Sequence, residues 1–441
     1  MGTATSRIPV HTALRQRLDE ARDLSDDLFA IVRPEAVYDR PIPERHRIIF
    51  YLGHLEAFDW NLLNDRLFDL PQISPAFNTL FAFGIDPVDG GLPTDQPKDW
   101  PAQTEVEEYQ RRVRDTVDKQ LASLGAVAER RSEVAQLLHV AIEHRLMHVE
   151  TLSYMLHQLP TDRKYRSEDR PTPAIQRGPA RMIEIPQGTA TLGLRRAEDG
   201  PFGWDNEFEE HSVTVPSFQI SEYKVTNGEF LRFLEAGGYE EHSLWSEDDW
   251  KWIGSSGATH PAFWVRRDNR WFLRNMFGEV PLPLDWPVYV SQAAAAAYAR
   301  WAGLELPSEA EWHRAAYATP QGTERAYPWG EHPPDASRGN FDLQRWDPTP
   351  TGAFPDGRSA HGVADLLGNG WEWTRTVFAP FTGFEAFSFY PGYSANFFDG
   401  KHYVLKGGSA RTAQCMLRRS FRNWFQPHYP FIYSGFRCVK H

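Results

Sequence analysis

The chain changes texture once, and abruptly. Up to about residue 162 apolar residues recur at intervals of three and four. From about residue 182 the apolar runs are short and are broken by Gly, Pro and Asp. The first pattern is that of long amphipathic helices, the second that of short strands joined by long loops. One packed layer cannot serve both, and 441 residues exceed a typical single domain. The expectation is an α+β chain with a helical bundle over residues 1–162, a polar Pro-containing linker over 163–181 and a second domain over 182–441.

Within the first part the spacing predicts helices over 12–32, 43–70, 104–124 and 131–159. Residues 71–101, rich in Pro, Gly and Asp, form a long excursion. Four helices with one long connection make a bundle whose interior can hold a metal. In the second part helices are expected at Asn227–Glu235 and 291–303, the latter from its alanine run, with strands and loops elsewhere.

Composition excludes several function classes. A net charge of −12 with no basic stripe argues against a nucleic-acid partner. Two cysteines, Cys415 and Cys438, cannot build a disulfide framework or a cysteine-rich metal site, and they fit a reducing compartment. Residues 12–33 are charge-rich with no apolar h-region before them, and no apolar run approaches ~18 residues, so neither secretion nor membrane spanning is indicated and a cytoplasmic protein is expected. There is no phosphate-cradling glycine loop.

The chemistry-bearing pattern is His144-Arg145-Leu146-Met147-His148. Residues i and i+4 of a helix share one face, so both imidazoles can reach one metal. The glutamate of a zincin is missing, so peptide hydrolysis is not indicated. His54, in the apolar run 48–58, offers a third ligand from another helix. Three neutral imidazoles form an open site suited to Fe(II) or zinc. The competing reading is three ordinary core or surface histidines.

The second half resembles the formylglycine-generating, sulfatase-modifying family, a C-type-lectin-like fold. The resemblance is carried by Ile183-Glu184-Ile185-Pro186-Gln187-Gly188, Pro307-Ser308-Glu309-Ala310-Glu311-Trp312, Gly368-Asn369-Gly370-Trp371-Glu372-Trp373-Thr374, Lys406-Gly407-Gly408-Ser409 and Gly435-Phe436-Arg437-Cys438. The helical half resembles the DinB-like metal-binding bundle. Together, in this order, they are similar to the non-heme iron sulfoxide synthases of ergothioneine and ovothiol biosynthesis. The resemblance implies Fe(II) on His54, His144 and His148, O2 as co-substrate, and a chalcogen joined to the imidazole of hercynine, the trimethylated histidine. Formylglycine formation itself is not implied, because the paired cysteines of its copper site are missing around Cys415.

The same resemblance assigns further residues. Tyr390, matched by the Tyr-x-x-Tyr spacing with Tyr393, stands where the family has its catalytic tyrosine, and Tyr393 would line the pocket. Asn423 and Trp424 match the segment holding the amino-acid end of the histidine-derived substrate. Asn offers donor and acceptor together, and an indole face attracts a trimethylammonium. Trp424 reads equally well as core. Calcium in loops of the second domain is admitted by the fold resemblance, with Asn340 and Asp342 as weak candidates.

Departures from the pattern bear on the donor. Phe425 stands where synthases using γ-glutamylcysteine have an aspartate. Residues 83–89 hold Asp86 and Asp89 but none of the arginines that grip a γ-glutamyl group. Aspartates suit hydroxyls or an ammonium instead. Met147 replaces a glutamine that bonds the substrate ring in some relatives. Segment 44–54 is closer to ovothiol synthases, yet the usual C-terminal methyltransferase is not expected after residue 441. Selenoneine synthases, which take a selenosugar and hercynine, fit this layout best. Alternatives are a sulfoxide synthase using a thiol such as cysteine, a DinB-type metal-dependent thiol transferase, and a non-catalytic lectin-like binder.

Overall fold

A computed structural model of the chain describes residues 10–82, 92–124, 131–167, 173, 175, 180–197 and 200–441. The chain divides into two compact units, residues 1–167 and 168–441. Asp86 and Asp89 lie outside the described residues.

In the first unit α1 (Val10–Ala30) runs along α5 (Arg131–Gln158), and α2 (Ile48–Leu63) along α4 (Gln103–Ser123). Leu14, Leu18, Ala21 and Leu28 on α1, and Val106, Tyr109, Val113, Val117 and Leu121 on α4, form the buried stripes their spacing predicts. Helix α2 differs: every residue except Phe58 and Asn61 is buried, as expected of a central helix. It begins five residues later than the sequence suggested. The amides of Ile48 and Ile49, which a longer helix would bond internally, are taken by the carbonyls of Asp39 and Val37 at 3.1 and 2.8 Å. A π-turn over Asn64–Phe68 continues it and closes with Asp69 at φ 50°. The excursion after Leu70 also differs from expectation, because it contains a short helix α3 (Pro75–Leu80). The Ser74 hydroxyl caps it by accepting from the Phe77 amide at 3.4 Å.

The second unit opens with β1 (Met182–Ile185), β2 (Gly188–Leu192), β3 (His211–Val215) and β4 (Phe218–Ser221). Helices α6 (Asn227–Glu235) and α7 (Glu247–Ser256) precede the meander β5 (Trp264–Arg267), β6 (Arg270–Asn275) and β7 (Gly278–Pro281). Helices α8 (Gln292–Trp301) and α9 (Glu309–Tyr317) follow, and then β8 (Trp371–Val377), β9 (Tyr403–Lys406), β10 (Asn423–Phe425), β11 (Ser434–Gly435) and β12 (Val439–Lys440). Strands β1 and β12, from opposite ends of the unit, both pair antiparallel with β4. A four-stranded sheet has the order β10-β9-β8-β11. Helices α7 and α9 were not expected. Each starts at a serine whose hydroxyl accepts from the amide three residues on, Ser246 from Asp249 and Ser308 from Glu311.

The motif residues of this half build its interior. Glu372 of β8 is fully buried and accepts from Arg437 Nε at 2.6 Å, from Trp312 Nε1 at 2.9 Å and from Lys224 Nζ at 2.9 Å. Two cations hold its carboxyl below the usual range despite burial, which alone would raise it. Gly368 has φ 82°, and a Cβ there would stand 2.4 Å from the Asn340 carbonyl, so only glycine closes that turn. These residues explain the sequence motifs through folding rather than chemistry.

Candidate metal centre

The centre starts from helix α2, whose polar side chains His54, Glu56 and Asp59 are carried into a dry interior. His144 and His148 project from α5 one turn apart. The Nε2 atoms of His54 and His148 are 3.2 Å apart, as are those of His148 and His144, and all three rings are buried. Nitrogens bound to one metal at about 2.0–2.1 Å, with bond angles of roughly 90–110°, lie about 2.9–3.4 Å apart. Both spacings fall within that range, and the ligand atoms of all three lie within 4.8 Å of one another.

Donor chemistry points the same way. His54 Nδ1 lies 2.7 Å from the Phe81 carbonyl oxygen, which can only accept, so the proton is on Nδ1 and Nε2 presents a lone pair. Burial lowers the pKa of His54 to about 4 and holds His144 and His148 well below 6.5, so all three stay neutral. Neutral nitrogens facing one another across a buried gap suit a cation. Among the described residues this is the one group of three His, Cys, Asp or Glu side chains close enough to share a metal ion.

Aromatic rings restrain the triad. Phe58 lies flat on His144, with centroids 3.4 Å apart at 11°, and Phe50 stacks on His54 at 4.9 Å and 20°. Register between α2 and α5 comes from Arg145. This fully buried guanidinium bonds Glu56 at 3.0 Å, Asp59 at 2.6 Å and Ser25 Oγ at 3.2 Å. Arg114 of α4 adds bonds to Glu56 and Asp26 at 2.8 and 2.6 Å. Burial would raise the Glu56 carboxyl, but Arg145 and Arg114 outweigh it and hold it at about 2. Met147 is half-buried, between the two histidines of α5 in sequence.

The other candidate residues lie in the second unit. Tyr390 is half-buried, and its ring centroid is 5.5 Å from that of Tyr393. Tyr393 is buried and stacks on Trp204 at 3.9 Å. Trp424 meets Tyr393 edge-on at 5.4 Å and lies flat on Phe378 at 4.3 Å. Asn423 Oδ1 accepts from the Trp424 amide at 2.9 Å, and Phe425 stacks parallel to Tyr429 at 5.6 Å. The structure thus gathers Tyr390, Tyr393 and Trp424 into one aromatic cluster. Arg422 anchors its strand by bonding buried Glu309 at 3.0 Å. Cys438 is buried and its thiol is pushed up by burial, whereas Cys415 is partly exposed. The Asn340 amide donates to Asn369 Oδ1 and the Asp347 carbonyl, both at 3.1 Å, and Asp342 accepts from the Gln414 amide at 2.9 Å. Both are engaged in holding loops together.

Sequence reasoning passed over the Arg145, Glu56 and Asp59 network. Its signal was there: two acids at i and i+3 in an otherwise apolar helix require a buried cation. The Phe81 carbonyl is main chain and carries no sequence signal.

The family model for the sulfatase-modifying factor enzyme 1-like domain matches residues 168–441, and that for the DinB superfamily matches residues 17–152. A hercynine oxygenase of Mycobacterium tuberculosis is 43% identical over 246 residues, covering 55% of this chain and 57% of that protein. A hercynine oxygenase of Mycolicibacterium smegmatis is 37% identical over 308 residues, 68% of this chain and 70% of that one. The chain belongs to the ergothioneine-type sulfoxide synthase family. A further relative, ergothioneine biosynthesis protein 1 of Neurospora crassa, is 30% identical over an alignment covering 92% of this chain and 55% of that protein. The chain thus spans little more than half the length of several family members it matches. Among its described residues no helix is long and apolar enough to cross a membrane.

Proposed function

We propose that this protein joins a chalcogen from a small-molecule donor to the imidazole ring of hercynine, in an oxidation that requires iron(II) and O2. The observation that carries this reading is the convergence of three buried, neutral imidazoles through Nε2, in a chain whose relatives are named for hercynine. Bound iron(II) would supply the redox chemistry that couples O2 reduction to formation of the new bond. His54, His144 and His148 would hold it through their Nε2 atoms. Tyr390 carries the proton delivered during oxidation, and Tyr393 shapes its surroundings. The Trp424 face receives the trimethylammonium, and Asn423 the amino-acid end of hercynine. Met147 and Phe425 are each proposed substrate contacts.

A selenosugar is the proposed donor. Support comes from the absence of arginine in residues 83–89, from Asp86 and Asp89 as acceptors for hydroxyls, and from Phe425 in place of an aspartate. A second reading, carbon–sulfur bond formation from a thiol such as cysteine, is favoured by the relatives named for ergothioneine biosynthesis. The test is aerobic incubation of iron-loaded protein with hercynine and, separately, selenosugar, thiosugar, cysteine and γ-glutamylcysteine, with products identified by mass spectrometry. An adduct with the selenosugar is expected. Product from γ-glutamylcysteine alone would overturn the donor argument, and no adduct or O2 uptake with any donor would overturn the function.

A further inference from the structure

His54 presents a lone pair at Nε2 only while its proton stays on Nδ1, and the 2.7 Å contact to the Phe81 carbonyl is what keeps it there. Phe81 stands at the C-terminal cap of α3 and not on α2, so something must bring that carbonyl to His54. The approach is set by the neighbour of His54. A Cβ at Gly53 would stand 2.5 Å from three atoms of the Phe81 ring. That ring cannot swing aside. It is fully buried, stacked on Trp100 at 6.2 Å and 24° and on Tyr109 at 6.4 Å and 29°, with Phe77 edge-on at 5.5 Å. Glycine is also a poor choice for a helix interior, so close approach is the physical reason for it here.

We propose that Gly53 and the main-chain carbonyl of Phe81 are a positioning pair that locks His54 as the Nδ1–H tautomer and thereby sets the affinity of the triad for its metal. The carbonyl does to His54 what an outer hydrogen-bond acceptor does to metal-bound histidines generally: it fixes the ring and makes the ligating nitrogen more basic. Both act through the ring of His54. The inference rests on the proposed metal role of the triad.

The tautomer is read directly in metal-free, 15N-histidine-labelled protein by long-range proton–nitrogen correlation at pH 7.5. His54 is assigned by the signals lost in His54→Gln. Wild-type protein is expected to show His54 protonated at Nδ1, and Gly53→Ala to show a mixture of tautomers. Chelator competition is expected to give a 10–100-fold weaker iron(II) affinity in Gly53→Ala, the size of effect typical for loss of such a partner. Shrinking the obstructing ring in Gly53→Ala/Phe81→Leu is expected to restore both readouts, and this double variant decides the matter if the single one does not fold. Wild-type His54 protonated at Nε2, or unchanged affinity in folded Gly53→Ala, would overturn the proposal. Wild-type protein with the Nδ1–H tautomer but no iron(II) binding would instead overturn the proposed function.

Discussion

The guanidinium of Arg145 bridges Glu56 and Asp59, so the residue after one metal-ligand candidate on α5 grips the helix that carries another. Every member is buried beyond the reach of screening. Removing one partner therefore strands charge in a dry interior. Arg145→Met is expected to cost about 3–5 kcal/mol of stability, measured as a lowered urea midpoint. Combining it with Glu56→Gln and Asp59→Asn should recover most of that loss, since the stranded charges go too. Equal midpoints for wild type and Arg145→Met would mean that the network does not hold the helices.

The depressed pKa values of the triad make the stability of the metal-free protein depend on pH. Burial lowers the pKa of His54 from 6.5 to about 4. Between those values the unfolded chain binds a proton that the folded one does not, so stability falls as pH drops from about 6.5 towards 4. His144 and His148, depressed by the same cause, steepen the fall. Unfolding midpoints of metal-free protein, taken from pH 7.5 to 4.5, should decline in wild type and decline less in His54→Gln. A flat profile in wild type would show that the rings are not held neutral.

How much of this was legible in the residues follows from what each relied on. The i,i+4 spacing of His144 and His148 is local and survives translation into α5 intact. The pairing with His54 is a contact across 90 residues that spacing alone left open between ligand and core. Helix α2 was misjudged at its start, because carbonyls of residues 37 and 39, folding back, satisfy its first amides. Helices α7 and α9 are as short as α6 and α8, which the sequence did suggest. Their signal was the start itself, a serine followed three residues later by an acid, Ser246–Asp249 and Ser308–Glu311, and it was passed over. Glu372, which entered the sequence reading only as part of the Gly368–Thr374 motif, is buried and held by Arg437, Lys224 and Trp312, partners that lie 60 or more residues away and carry no local signal.

Trp424 could be core or ligand platform, and the two roles separate by selectivity. One indole face is taken by Phe378. A desolvated cation–π contact of up to ~2 kcal/mol predicts that Trp424→Ala weakens hercynine binding about 10–30-fold. Trp424→Phe should lose only part of this. Histidine, which lacks the trimethylammonium, should bind wild type and Trp424→Ala about equally, as read by calorimetry. A parallel loss for both ligands would assign Trp424 to the core.

The Tyr390 loop is clamped on both sides of the tyrosine. Ser394 Oγ donates to Asp205 at 2.6 Å, and the Phe387 amide also hydrogen-bonds that buried carboxyl. Trp204, the residue before Asp205, stacks on Tyr393 within the same loop. One short turn therefore fixes both ends of the segment that carries the proposed proton carrier. Asp205→Ala should free the loop without removing the phenol. If Tyr390 delivers the proton, then loosening it should divert O2 towards plain oxidation of the donor. The ratio of oxidised donor to hercynine adduct is expected to rise in Asp205→Ala, and further in Tyr390→Phe, while iron(II) affinity stays unchanged. A shifted ratio in Tyr390→Phe but not in Asp205→Ala would show that the clamp does not position the tyrosine, and no shift in either would remove Tyr390 from the reaction.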